Sequence, residues 1–435
     1  MFSAIARVFR TPDLRRKIWF TIGIITIYRI GAFIPAPGVD YSAVQQCLEM
    51  GGTEGGLYNF VNMFSGGAML QVSVFALGIM PYITAAIIVQ LLRVVIPRFE
   101  NLQREGPQGQ AKLTQYTRYL TIALATLNAT TLVAMARSGA LLQCDIPILP
   151  EDNVWVVLLM VITMTSGVAL IMWLGEQITE RGVGNGMSIL IFVSIAAGFP
   201  GAMGEIWTVQ GWRVFSVVML IGLIVIAAVV FVEQSQRRVP VQYAKKQIGR
   251  RTVGGTSTYI PIKVNMAGVI PVIFSSSVLM LPQVLMQFND PGPGEEPGQI
   301  TQWIQQYFGT GAHPVYMVTF FLMTVGFTYF YVSITFNPNE VAENMRKYGG
   351  FIPGIRAGRP TESYLAYVIS RITFPGSLYL GLIALIPLIA FVLIGADQNF
   401  PFGGTSILIM VGVGLTTVKQ INAQMEQRNY EGLLR

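Results

Sequence analysis

The sequence predicts an all-α polytopic membrane protein: ten transmembrane helices in two pseudo-symmetric, inverted five-helix halves. Three observations carry that prediction. The first is composition. Of the 435 residues, 52% are hydrophobic and only 12% charged, against roughly 25% charged in soluble domains. The second is a series of ten apolar runs, most of them near the ~20 residues that a helix needs to cross the hydrocarbon layer. The third is where the bases fall. Of 29 Lys and Arg, 26 lie on alternate connecting segments or at the span ends that adjoin them (Arg371, at the inner end of run 367–394), Arg137 and Arg213 lie on the others, and Arg29 is the main exception within a run. Asp and Glu divide evenly, 11 on each side. Orientation follows Lys and Arg rather than net charge. Both termini are therefore predicted to be cytoplasmic, and the net charge of +7 is that topological bias, summed.

The elements follow in order. Run 18–34 comes after a basic cluster, Arg7 to Lys17, as a secretory signal would. Arg29 interrupts it and nine runs follow, so it reads as an uncleaved first span. Run 72–92 carries Gly78-Ile79-Met80-Pro81-Tyr82-Ile83, and run 264–284, five runs later, carries Gly268-Val269-Ile270-Pro271-Val272-Ile273. Both fit G-x-x-P-x-I. Five is odd, so the second set of five enters from the opposite side, which permits an inverted repeat. Runs 119–135, 154–174, 214–232, 315–336 and 367–394 are plain spans. The fifth and tenth, 187–199 and 406–418, hold about 13 residues each, roughly 20 Å of helix. Runs that short cannot face lipid along their whole length. As a matched pair they mark the functional centre.

Three segments break the spanning pattern. Residues 57–64 are apolar but too short to cross. They fit either a re-entrant helix, tolerated only where protein or a cavity surrounds it, or an amphipathic helix on the outer surface. Loop 233–263 holds seven bases against one acid, with Arg250-Arg251 near its tip. Plain topology collects bases on such a loop, yet paired bases also suit phosphate, as in ribosomal RNA, an acidic protein, or anionic lipid. Loop 337–366 contains Phe351-Ile352-Pro353-Gly354-Ile355-Arg356, an apolar turn that fits either the presentation of one Arg to a protein partner or a plain packed loop.

Signals for catalysis are missing. No H-E-x-x-H, G-x-S-x-G or phosphate-binding glycine loop occurs, nor a metal-ligand cluster, so neither an enzyme nor a cofactor is predicted. The one histidine, His313, reads as a solvated loop residue. No carboxylate lies at mid-membrane depth, which weighs against the main alternative, an inverted-repeat secondary solute transporter. A ribosome-anchoring scaffold is a third possibility. Cys47 and Cys144 both fall on outer segments and are expected as free thiols. Arg29, near the outer end of its span, is expected to snorkel or to pair structurally.

Five stretches, in order, carry a resemblance. They are Tyr28-Arg29-Ile30-Gly31-Ala32-Phe33-Ile34-Pro35 with Pro37-Gly38-Val39-Asp40; Ala76-Leu77-Gly78-Ile79-Met80-Pro81-Tyr82-Ile83; Gly175-Glu176-Gln177-Ile178-Thr179-Glu180-Arg181-Gly182; Lys263-Val264-Asn265-Met266-Ala267-Gly268; and Gly403-Gly404-Thr405-Ser406. From about residue 12 to the end, the chain resembles the SecY/Sec61 alpha family of protein-conducting channels. The resemblance implies an N-terminal half, 1–211, and a C-terminal half, 212–435, opening like a clamshell around an hourglass pore. It implies a waist formed by Ile79, Ile83, Met187, Ile191, Ile273 and Ile409, with Met187 departing from the usual Ile. It makes residues 57–70 a plug, through Leu57, Phe60, Met63, Phe64, Ser65, Gly66 and Gly67. It makes Arg250, Arg251 and Arg356 partner contacts, although Ala357 stands where the family often has Pro. The implied partners are SecE, SecG, the SecA motor, the ribosome through its RNA and protein, signal-sequence-bearing polypeptides and membrane lipids. The implied location is the bacterial cytoplasmic membrane.

Overall fold

The computed structural model describes residues 11–49, 65–69, 71–137, 153–243, 246–248, 251–253, 257–288, 298–308, 313–394 and 404–433. The chain divides into two compact units, Met1–Phe215 with Val413–Arg435, and Ser216–Gly412. In the first lie α1 (Pro12–Ala32), α2 (Tyr41–Glu49), α3 (Met80–Val95), α4 (Pro97–Arg104), α5 (Pro107–Arg137), α6 (Val154–Arg181) and α7 (Gly186–Thr208). Gly211, at φ +78°, separates α7 from α8 (Gly211–Gln234). Then follow α9 (Ile270–Phe288), α10 (Gln299–Phe308), α11 (Pro314–Thr335), α12 (Pro338–Lys347), α13 (Arg359–Ile394) and α14 (Gly404–Leu433), whose later part belongs to the first unit. Among the described residues, seven helices are long and apolar enough to cross a membrane, and Met80–Arg93 is a shorter apolar one.

Each of the ten apolar runs falls on a helix, but two helices begin late. α3 starts at Met80 rather than at residue 72, because residues 72–74 form turns bridged to the end of α1. The Ala36 amide donates to the Val72 carbonyl (3.0 Å) and the Val74 amide to the Ile34 carbonyl (2.9 Å). α9 starts at Ile270 rather than at 264.

Helix packing in the first unit does not divide polar from apolar, since both faces of these helices are apolar. It divides small from large. On α5 the buried positions Leu113, Thr117, Thr121, Ala125 and Ala129 recur every fourth residue, a stripe of mostly small side chains that lets helices approach. Thr117 and Thr121 return their hydroxyls to the carbonyls four residues back (3.0 and 2.7 Å), which satisfies them without water. On α6, Met160, Met164, Gly167, Ile171 and Ile178 are buried, whereas Trp155, Leu158, Leu159, Ile162 and Trp173 are exposed and suited to lipid. A Cβ on Gly167 would strike the Val74 carbonyl, so this helix passes directly over the backbone before α3. At the far end of the chain, Ile421 and Met425 pack on Leu14 and Val183.

In the second unit the loop after α8 is a sheet, which the all-helical reading missed. β1 (Gln236–Tyr243) pairs antiparallel with β4 (Ser257–Lys263) and, at Gln242 and Tyr243, with β5 (Gly350–Phe351). β2 (Lys246–Ile248) and β3 (Arg251–Val253) form a separate hairpin. Val239 and Val241 alternate inward and join Ile262, Met345, Ile352, Leu365 and Val368 in one core. The two long loops are thereby folded together with the start of α13.

Candidate functional site

Two turns of one design start two of the helices that carry the predicted constriction, α3 and α9. In the first unit Gly78 sits at φ +54°, and the Ile79 carbonyl accepts from the amides of Tyr82 (3.1 Å) and Ile83 (3.2 Å). In the second unit Gly268 sits at φ +62°, and the Val269 carbonyl accepts from Val272 (3.1 Å) and Ile273 (3.2 Å). The chain enters each helix through the left-handed region, where a Cβ is unwelcome. The proline follows at a position whose missing N–H costs no helical bond. Ile83 and Ile273 thus occupy equivalent places. Ile79 and Ile273 are buried and Ile83 is half-buried. The second turn has an added brace: the Asn265 side-chain amide donates to the Gly268 carbonyl (3.2 Å) and to Glu233 Oε1 (2.6 Å).

Met187 and Ile191 sit on the first turns of α7. Asn185 caps that helix, its Oδ1 accepting from the amides of Met187 (3.1 Å) and Ser188 (3.4 Å). Thr179 ties it to α6, accepting from the Gly186 amide and donating to the Gly175 carbonyl, both at 2.9 Å. A Cβ on Gly175 would collide with the Met187 thioether. The departure from Ile therefore has a local cause: an unbranched, flexible thioether lies in the space that a glycine leaves. Met187 and Ile191, four residues apart, share a helix face and are buried. Ile409 is buried on α14. Ile79, Ile83, Met187 and Ile191 belong to the first unit, Ile273 and Ile409 to the second.

Of the predicted plug, Leu57, Phe60, Met63 and Phe64 lie outside the described residues. Ser65 is buried and its Oγ accepts from the Met69 amide (3.1 Å). Gly66 and Gly67 are both left-handed, at φ +67° and +92°. Arg29 pairs structurally: its Nη1 donates to the Gly66 carbonyl (2.9 Å), and its guanidinium lies 5.2 Å from the centroid of the Phe33 ring. Arg250 is likewise outside the described residues, and Arg251 pairs through its backbone with Ile248 in the β2–β3 hairpin. Arg356 is exposed. Its turn is anchored from within by Ile352 and Ile355, by the Ile355 amide on the Ile352 carbonyl (3.0 Å), and by the Thr361 hydroxyl on the Arg356 carbonyl (2.9 Å). The Thr361 bond fixes the backbone beside Ala357, where the family often uses proline.

Two expectations need correction. Cys47 is not a free thiol but disulfide-bonded, buried beside Val44, Met160 and Met164. The one other cysteine in the chain is Cys144, which lies outside the described residues. Nothing in a single sequence states how closely two loops approach. His313 is not simply solvated: its Nδ1 accepts from the Val315 amide (3.2 Å), which caps α11, and its ring meets the edge of Tyr307. The sequence reading also missed the pairing of Arg118 with Glu176 (2.8 Å) and of the Tyr28 and Ser194 hydroxyls (2.6 Å). Glu176 stands in a quoted motif, but its partner is 58 positions away.

Comparison with known proteins gives the family. The SecY family profile matches residues 73–418. The chain is 68% identical to the protein translocase subunit SecY of Micrococcus luteus and 61% identical to that of Streptomyces scabiei, with 100% of each chain covered. Among solved structures, a SecY whose plug domain is described as stabilising the closed state superposes with TM-score 0.64 at 20% identity. Sec61 from a canine ribosome–channel complex does so with TM-score 0.62 at 19% identity. In both cases 94% of this chain and 92% of the other are covered. These relatives set aside the solute-transporter alternative. The chain belongs to the SecY family of protein-translocation channel subunits.

Proposed function

We propose that this chain is the passive conduit of a bacterial cytoplasmic-membrane translocase, with both termini cytoplasmic. Unfolded, signal-sequence-bearing polypeptides cross through a waist of Ile79, Ile83, Met187, Ile191, Ile273 and Ile409, and apolar segments leave sideways into lipid. One observation carries this reading: the matched glycine-to-helix turns at 78–83 and 268–273 put an isoleucine at the same place in each half, 1–211 and 212–435. An aliphatic waist offers no directional polar chemistry. It accepts any side chain and closes by dewetting. Energy is then supplied by partners, the SecA motor or the ribosome, docking at Arg250, Arg251 and Arg356, with SecE and SecG as small membrane subunits. Residues 57–70 seal the outer funnel at rest. The ribosome complex of the Sec61 neighbour and the plug domain of the SecY neighbour support these two assignments.

The test is reconstitution with SecE and SecG. Replacing Ile79 and Ile273 together with Asn is expected to hydrate the waist, to raise resting ion conductance, and to admit polypeptides with defective signals. Deleting 57–70 is expected to raise resting conductance while SecA-driven translocation persists. An Ile79→Asn/Ile273→Asn variant with wild-type conductance would overturn the waist assignment.

A further inference from the structure

Residues 65–69 and 71–79 follow an unusual backbone path. Gly66, Gly67 and Gly78 are left-handed, and so is Val72, at φ +45°. A β-branched side chain avoids that region, and such strain persists only where the surroundings over-determine the backbone. Here they do. The Ser65 hydroxyl accepts from the Met69 amide, the Ser73 amide donates to the Ala68 carbonyl (3.1 Å), and residues 34–36 bind residues 72–74. A charged side chain joins them: the Arg29 guanidinium reaches from the last turn of α1 to the Gly66 carbonyl. It comes from a basic residue set within the first apolar run.

The surroundings fit that contact closely. A Cβ on Gly66 would stand 2.9 Å from Arg29 Nη1, 3.2 Å from Ser194 Cα and 3.3 Å from the Ser194 carbonyl oxygen. The turn is therefore held between α1 and α7. α7 is itself fixed to α1 by the Tyr28–Ser194 hydroxyl pair, one residue from Arg29. Phe33 lies against the guanidinium and leaves its N–H edge for the carbonyl. An Arg suits this position because its charge is delocalised and weakly hydrated, whereas an ammonium strongly favours water.

We propose that Arg29 is a positioning residue: it clamps the Ser65–Met69 turn and thereby sets how tightly the channel is sealed at rest. The seal is the part that rests on the plug reading above; the clamp itself does not. A charged donor on a part-buried carbonyl shifts an opening equilibrium by about tenfold to hundredfold.

Two readouts separate the clamp from the seal in the full chain assembled with SecE and SecG. The first is amide hydrogen exchange at Met69 and Ser73. The second is resting ion conductance in planar bilayers. Arg29→Met keeps the length and removes the donors. It is expected to speed exchange at both amides by about tenfold to hundredfold, to leave α5 and α6 unchanged, and to raise conductance. Arg29→Lys, with one remaining point charge, is expected to do so less. Gly66→Ala displaces the guanidinium from the other side without altering α1 and also strains a left-handed position, so it should speed exchange at least as much as Arg29→Met if the latter accumulates poorly. Wild-type exchange in Arg29→Met and Gly66→Ala overturns the clamp. Faster exchange with unchanged conductance overturns control of the seal. The deletion of 57–70 then tells whether the plug reading fails with it.

Discussion

Arg118 and Glu176 make a two-point contact between α5 and α6: Nε to Oε1 at 2.9 Å and Nη2 to Oε2 at 2.8 Å. Their side chains are 40% and 18% exposed. An exposed pair contributes about 0.2–1 kcal/mol, and breaking a buried one costs about 3–5 kcal/mol. With one partner largely covered and the other partly in water, the coupling should be about 1.5 kcal/mol. The two single changes should differ. Arg118→Met strands a largely covered carboxylate and should cost about 2–3 kcal/mol. Glu176→Gln leaves an Arg that still reaches water and the Gln115 side-chain oxygen (3.2 Å), and should cost about 1 kcal/mol. The assay is reversible unfolding in mixed micelles of the wild type, both singles and the double, read as a cycle. Equal single costs that add to the double within about 0.5 kcal/mol would refute this account of the pair.

Three further outcomes are expected. Gly175→Ala should destabilise by about 1–3 kcal/mol through overpacking, and Met187→Ala, which removes the thioether it strikes, should restore most of that loss in the same unfolding assay. Arg356→Glu should reach wild-type levels in the membrane, because 26 bases against two over-determine orientation. It should nevertheless slow SecA-driven translocation, with partner affinity down roughly tenfold to a thousandfold and with Arg356→Lys also impaired; a wild-type rate for Arg356→Glu would refute the docking role. Digestion without reductant should yield one linked peptide pair containing Cys47 and Cys144, and separate peptides in mass spectrometry would contradict it.

What was legible in the sequence is what depends on neighbours along the chain. Apolar run length alone places a helix at each span, because in hydrocarbon the backbone has no other way to satisfy itself. The late starts of α3 and α9 were within reach too, since Pro81 and Pro271 suit the first turn of a helix and not its interior. The strands β1 and β4 were masked by their charge. Seven bases on 233–263 drew attention to topology, while the alternation of Val239 and Val241 carried the strand signal. Long-range polar partners were not legible. Tyr28 and Ser194 are 166 positions apart, and either could serve equally well as an unremarkable span residue.

Met187 shows why a departure from a family pattern cannot be judged at its own position. Read singly, a thioether in place of a branched side chain loosens a ring. In the folded chain the same side chain fills the gap over Gly175, and Thr179 holds the two helix ends together by taking one hydrogen bond from Gly186 and giving one to Gly175. The Gly175, Thr179, Gly186 and Met187 positions therefore form one unit of fit. An Ile at 187 would bring its branch close to the backbone, where α6 and α7 approach through two glycines, whereas Met delivers its volume farther from Cα. The flexibility that would loosen an isolated ring position is taken up by packing against Gly175, and the residue is left only 9% exposed.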